Sequence, residues 1–378
     1  MKLKRAVSII LVFGVVLALL SVSQAVVDLR RIEEVTKKNI LTPADLQIID
    51  EFMNDAVTDI VRTEDFTAVS KTRSIILNHR ADKAQPSAQA QYAQQFSESA
   101  YKQISEALAE AEGLPNESRR YKVITNLLIL VENLEDPRLV ELAIGQIRRA
   151  NAPARYWAVR AATDAELWAK LSQNQATASR LAATILAECS QVAATSSAEV
   201  LRLMADFAGR FDTPAASALL VKVADARIAR YADWTVDYEL VDGAILKHLC
   251  DRLAGGGTPD PELARRFAQL YSFAMQRYIK GKRLGVLKEA SQNYLVTLLV
   301  QTEQNCLGEL LAAPQATITR LVTAGDLDGL QAEHDRLLGA PGRPGVLPAR
   351  LSFSYTTQGE STAAPVALPD PPGRPTQA

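Results

Sequence analysis

The segment DWTVDYELVDGAILKHLCD, residues 233–251, concentrates groups that can move protons or hold metals: Asp233, Asp237, Glu239, Asp242, His248, Cys250 and Asp251. Paired carboxylates do acid–base chemistry when their surroundings drive their pKa values apart, leaving one protonated and the other ionised. The same residues also have structural uses. Asp233 and Asp237 near a helix start complement the helix dipole. His248 falls in line with Val241, Ile245 and Arg252, the place of a seam histidine. Cys250, two positions on, points nearly the other way on a helix, so the two cannot pair.

No further chemistry-bearing motif supports a catalytic reading. The chain has no HExxH, GxSxG or GxxxxGK[ST] pattern, and His79 and His334 stand alone. Gly255, Gly256 and Gly257 follow no strand and precede no lysine, so they read as a turn and not a phosphate cradle. Cys189, Cys250 and Cys306 are odd in number and far apart, with no metal-ligand spacing, which suits small buried hydrophobes. No catalytic residue, metal site or cofactor is expected.

Charge excludes more than it suggests. The 378 residues carry a formal net charge of -1, so no global field draws the chain to nucleic acid. Lys280, Lys282, Arg283 and Lys288 form the densest basic group, at a helix end where cations are favoured in any case. Arg119, Arg120 and Lys122 are a smaller group at the opposite end of a helix. Asn116-Glu117-Ser118 is a glycosylation sequon, meaningful only in a eukaryotic secretory route.

The elements that would position these residues read as helices. Ala is frequent and aromatic residues make up 6%, a composition that favours close-packed helices over sheets. Thr42-Pro43, Asp136-Pro137, Thr213-Pro214, Thr258-Pro259 and Asp260-Pro261 each join a capping residue to a proline, the signature of a helix start. Val200, Leu201, Met204, Phe207, Ala208 and Phe211 share one helical face. Leu139, Val140, Ala143, Ile144 and Ile147 form a second such stripe, and Leu263, Phe267, Leu270, Tyr271, Ala274 and Tyr278 a third. VITNLLILVENL, residues 123–134, is apolar nearly all round and predicts an inner helix. Leu351 to Tyr355 alternates weakly, the one hint of a strand.

NAPARYWAVRAATD, residues 151–164, places Arg155, Tyr156, Trp157 and Arg160 within six positions. On a helix, Ala154, Trp157, Ala158, Ala161 and Ala162 cover one face, which predicts Trp157 as a core knob among small residues. Arg155, Tyr156 and Arg160 point outward and are the expected contacts to a protein partner. The stretch Asn151 to Ala162 resembles the second helix of a HEAT repeat, D-x-x-V-R-x-x-A-A-x-A-L, with Asn151 for the Asp, Arg155 for the Arg, and Ala158, Val159 and Ala161 at small core positions. DPRLVELAIGQI, residues 136–147, is also HEAT-like, with Val140 where the Arg would be, and together they look like one repeat over residues 136–163. The resemblance implies stacked helix pairs, and a structural role for Arg155 in polar ladders between repeats.

At the N-terminus, Lys2, Lys4 and Arg5 precede an apolar run from Ala6 to Leu20, with Ser23 and Ala25 where a signal peptidase reads. This is the layout of a secretory signal peptide, residues 1–25, cleaved before Val26. The alternative is a retained membrane anchor, though the run is short of the ~20 residues a span needs. From about Ala340 the sequence turns rich in Pro and Gly, and a disordered tail over residues 340–378 is expected.

The expectation is therefore an exported, periplasmic or extracellular, all-α protein. It has an N-terminal helical segment at residues 26–113 and a HEAT/armadillo-like helical-repeat domain at residues 114–339. The function class that fits is a non-catalytic scaffold or protein-binding module, with a protein partner, no nucleic acid, and membrane only if the leader is retained. The alternatives are an exported α/α-toroid enzyme such as one cleaving polysaccharide, which needs aromatic platforms and paired carboxylates, and a membrane-anchored envelope protein.

Overall fold

The computed structural model describes residues 29–149, 151–255, 259–357 and 359–372. The expected signal peptide and its cleavage site lie outside them, as do Gly256, Gly257 and Thr258 of the glycine turn. Among the described residues no helix is long and apolar enough to cross a membrane.

The fold is all-α, and the chain divides into two compact units at Leu142/Ala143. The first holds α1 (Leu29–Thr36), α2 (Pro43–Arg62), α3 (Phe66–Asn78), α4 (Gln89–Glu112) and α5 (Glu117–Leu134). Thr42 caps α2 in a capping box: Asp45 N–H donates to the threonine hydroxyl, and Asp45 accepts from Thr42 N–H at 2.9 Å. Such a cap stabilises a helix by about 1 kcal/mol. Ile49, Met53, Ile60, Tyr92 and Ile104 form the core where α2 lies on α4. The predicted inner helix is α5, and it packs on α2, α3 and α4. The boundary therefore falls after α5 instead of after Gly113, because the buried Leu127, Leu128 and Leu130 find their partners in the N-terminal helices.

The unit boundary crosses α6 (Val140–Gln146), so it also crosses the two-helix repeat expected at residues 136–163. Asp136-Pro137 opens a turn and not a helix: Asp136 Oδ1 accepts from Arg138 N–H at 2.9 Å, and helical structure begins only at Val140.

The second unit contains α7 (Ala152–Thr163), α8 (Ala165–Leu171), α9 (Gln175–Val192), α10 (Ala198–Ala208), α11 (Pro214–Ala232), α12 (Leu240–Ala254), α13 (Pro261–Leu284), α14 (Glu289–Thr302), α15 (Gly308–Leu311), α16 (Thr317–Ala324) and α17 (Leu327–Leu338). Its packing alternates. α7, α10, α12 and α14 touch in succession, and so do α9, α11, α13 and α17, which makes two layers of helices. Thr213 and Asp260 cap α11 and α13 as their Pro-containing pairs predict. α13 is buried nearly all round, from Leu263 to Ile279. A π-turn at Glu303–Leu307 follows α14, and the buried Glu303 carboxylate accepts from Ile318 and Thr319 N–H, both at 2.7 Å, capping α16.

Beyond α17 come two short antiparallel pairs, β1 (Gly339–Ala340) with β2 (Arg343–Pro344) and β3 (Tyr355–Thr357) with β4 (Glu360–Thr362), separated by α18 (Val346–Arg350). Leu351, Phe353 and Tyr355 are buried while Ser352 and Ser354 are exposed, the period-two pattern read in the sequence. The stretch expected to be disordered from residue 340 is instead described to Pro372 as a strap on the helix array. Composition misled here because the strap's backbone groups are satisfied by side chains of α13, described below. Residues 373–378 lie outside the described residues.

Candidate functional site

Two polar regions of the second unit merit comparison with the sequence-based expectations. The first is the outer face of α7. Asn151 caps the helix, its side chain accepting from Ala154 N–H, and Ala154, Ala158, Val159, Ala161 and Ala162 form the buried face. Trp157 lies beside that face and is half-buried, not in the core. The alanine stripe packs closely enough on α10 that the indole is left at its edge. There it meets Tyr156 edge-on, with ring centroids 5.4 Å apart, and Arg160 lies 5.2 Å above it. Arg160 also donates to the Tyr156 hydroxyl at 3.2 Å. Tyr156, Trp157 and Arg160 thus form one cluster, with Arg160 exposed. The core position goes to Trp168, which packs against Phe207 and Phe211 and donates its indole N–H to Ala162 O at 2.8 Å.

Arg155 departs from the expectation of an outward contact. It is half-buried, donates from Nε to Ile147 O at 3.1 Å and from Nη1 to Thr195 Oγ1 at 3.3 Å, and so braces α7 against two connecting segments.

The second region is the acid-rich segment, where α11, α12 and α13 meet. Asp242 is completely buried and receives Arg227 Nε at 2.6 Å, Arg227 Nη2 at 3.1 Å and the Tyr231 hydroxyl at 2.8 Å. Burial pushes the Asp242 carboxyl above the usual range, against the pull of Arg227 and Tyr231. Burial together with Asp242 raises the Tyr231 hydroxyl. Arg227 also holds the α11–α12 loop, donating from Nη2 to Asp237 O at 2.7 Å. That loop needs holding: Trp234 and Tyr238 adopt left-handed φ of 58° and 48°, which costs non-glycine residues about 1–2 kcal/mol each. Glu239 is buried 3.4 Å from Arg277, an ion pair whose geometry is too poor for a hydrogen bond. The Arg277 guanidinium lies 5.0 Å from the Trp234 ring.

Of the remaining groups, all but Asp233 have partners for their side chains among the described residues. His248 Nε2 meets Asp206 Oδ1 at 2.9 Å across the α10–α12 seam. Its ring lies where a Cβ on Gly209 would come within 2.3 Å, so a side chain there would push the His248 ring from this position. Asp251 pairs with Lys247 on its own helix. The Cys250 thiol is buried 3.9 Å from Cys306 O, and its pKa is driven upward by Cys306 and by burial. Asp233 ends α11 at its C-cap, the opposite end from the helix start expected of it. Among the described residues no three His, Cys, Asp or Glu side chains gather closely enough to share a metal ion.

Sequence reasoning missed the face of α13 beside this centre. Gln269, Ser272, Gln276 and Lys280 follow one another at helical spacing, and Gln269, Gln276 and Lys280 bond the strap. Gln269 accepts Val366 N–H at 2.9 Å and donates back to Val366 O at 3.2 Å. Gln276 accepts Leu368 N–H at 2.7 Å and donates to Val366 O at 3.2 Å. Lys280 donates to Leu368 O and pairs with Asp370 at 3.0 Å, and the Trp234 indole donates to Pro369 O at 2.9 Å. The signal available in the sequence was a polar stripe at Gln269, Ser272 and Gln276 within the central, largely apolar turns of this helix.

A cavity of about 550 Å³, lined by Trp168, Leu186, Phe211 and Pro214, opens where α8, α9 and α11 adjoin. Comparison of the chain with models of known protein families gives no match, and comparison with curated proteins gives none either.

Proposed function

We propose that the chain is an exported, non-catalytic helical-repeat scaffold of HEAT/armadillo-like kind that binds a protein partner. One observation carries this reading: the buried proton-transferring groups of the acid-rich segment are engaged in holding helices or their connections together, and, among the described residues, the exposed Asp233 and Asp251 face no partner acid or base. Asp242 is locked by Arg227 and Tyr231, Glu239 faces Arg277, and His248 bridges to Asp206. A catalytic pair needs a carboxylate free to meet substrate, and these carboxylates are closed in by cations.

The alternating layers of the second unit support the repeat reading, since each helix pair buries its apolar face against the next. The Tyr156–Trp157–Arg160 cluster has the composition of a partner contact, because aromatic residues and arginine dominate interface energetics. Tyr156 and Arg160 make the contact and Arg155 sets the angle of their helix.

The test is affinity capture from the envelope fraction of the source organism, using the chain from Val26 as bait beside a Tyr156→Ala/Arg160→Glu variant of equal thermal stability. The expected result is a partner held by the wild type and lost by the variant. Equal capture by both, or capture by neither, rejects the α7 surface as the binding face.

A further inference from the structure

The geometry points to a second binding site: the α13 face is a groove for an extended, proline-containing peptide with a P-x-x-L-x-D pattern, and residues 364–370 of the same chain fill it in cis. The mode of holding carries the inference. Gln269 and Gln276 read only the backbone of Val366 and Leu368, each through both ends of the carboxamide, as a neighbouring strand would. Pro365, Pro369 and Pro371 fall at positions whose N–H the groove does not use, so proline costs no hydrogen bond there.

The buried strap residues are Pro365 and Leu368, while Val366, Ala367 and Pro369 face outward. A spacing of three is the repeat of a polyproline II helix, which places Pro365 and Leu368 on one side. Lys280 then selects an acidic residue two positions after the leucine, as it does with Asp370. The strap runs in the same direction as α13, from Gln269 toward Lys280.

The groove's carboxamide is also held from the protein side. Buried Ser272 stands 2.8 Å from His334 Nε2, and Gln276 Nε2 donates to Ser272 Oγ at 2.8 Å. Burial lowers the His334 pKa and favours a neutral ring, whose Nδ1 lies 2.9 Å from Asp335. With the ring proton on Nδ1, Nε2 accepts from Ser272. The serine oxygen is then left to accept from Gln276, which turns the carboxamide oxygen toward the Leu368 amide. A chain segment that only covered the helix would need no such orienting relay.

This site is separate from the α7 face, so the two proposals fail independently. The test uses the full chain with the strap disabled, Leu368→Asp, and a fluorescent synthetic peptide of residues 364–372 followed by anisotropy. Leu368→Asp is expected to bind the peptide at least tenfold more tightly than the wild type, whose groove is filled. Adding Gln276→Ala should reverse the gain at least tenfold. No binding by a folded Leu368→Asp chain, or binding indifferent to Gln276→Ala, overturns the proposal. Should Leu368→Asp not fold, hydrogen exchange on the wild type decides. Val366 and Leu368 amides exchanging well ahead of the α13 amides support a releasable occupant, and exchange only together with α13 overturns it.

Discussion

The outer face of α7 and the α13 groove both gather polar and aromatic residues, yet they were unequally visible. On α7 the cluster is local: Tyr156, Trp157 and Arg160 are neighbours in sequence and meet on one helix. In the groove the partners are 88 to 135 residues apart, as between Lys280 and Leu368 or Trp234 and Pro369. Local clusters show in a sequence whether or not they matter. Long-range ones show only as an unexplained polar stripe and an unexplained proline-rich run. The centre beside the groove is also the more consequential for stability, because the charges of Arg227 and Asp242 are buried and removing either partner leaves the other unsatisfied.

The largest expected effect breaks the buried side of that comparison. Arg227→Ala leaves Asp242 and Tyr231 without their cation and frees the strained Trp234–Tyr238 loop. It should cost about 3–5 kcal/mol, read as a fall in the urea midpoint. A loss below about 1 kcal/mol would show that Asp242 is not held as a buried ion.

Gln276→Ala comes next, since it strands the Leu368 amide and a share of the Val366 carbonyl. A loss of about 1–3 kcal/mol is expected in the same urea titration.

Asp45 offers a smaller, pH-dependent contrast in the first unit. Its hydrogen bond with Lys38, followed by that from Thr42 N–H, holds its pKa down at about 2. A folded-state pKa below the unfolded value means the contribution is present above about pH 4 and is lost as pH falls toward 2. Thermal melts between pH 5 and 2 should show Asp45→Asn losing about 1–2 kcal/mol at pH 5 and converging on the wild type at pH 2. A difference that stays constant with pH would contradict the assignment.

The smallest effect sharpens the other side. Arg160→Glu lies on the exposed face and should change stability by less than about 0.5 kcal/mol by thermal melt, leaving any effect on partner binding unconfounded.

Much of the fold could be read from residue types alone. Thr42, Thr213 and Asp260 cap their helices because a side-chain oxygen before a proline satisfies the first turn. The stripe at Val200, Leu201, Met204 and Phe207 is buried as its period requires. Asp136-Pro137 shows the limit: the same dipeptide closes a turn when the following residues do not continue a helix. Trp157 and Trp168 show another. Both sit on short helices, and the packing of Phe207 and Phe211 takes the Trp168 indole inside. The strap was unreadable because its order comes from glutamines on a distant helix, which composition does not see. For the candidate site, the α7 cluster was legible as a group. The bracing role of Arg155 was implied only by the HEAT-like pattern, and the groove was not seen.

The measurement that bears most directly on the account is site-specific photo-crosslinking in the source organism. A photoreactive phenylalanine analogue would replace Tyr156 on α7, and in a second strain Tyr101, an exposed aromatic on α4 of the other unit. The account predicts a discrete higher-mass adduct at position 156 that is absent at position 101. No adduct at 156, or the same adducts at both positions, would contradict it.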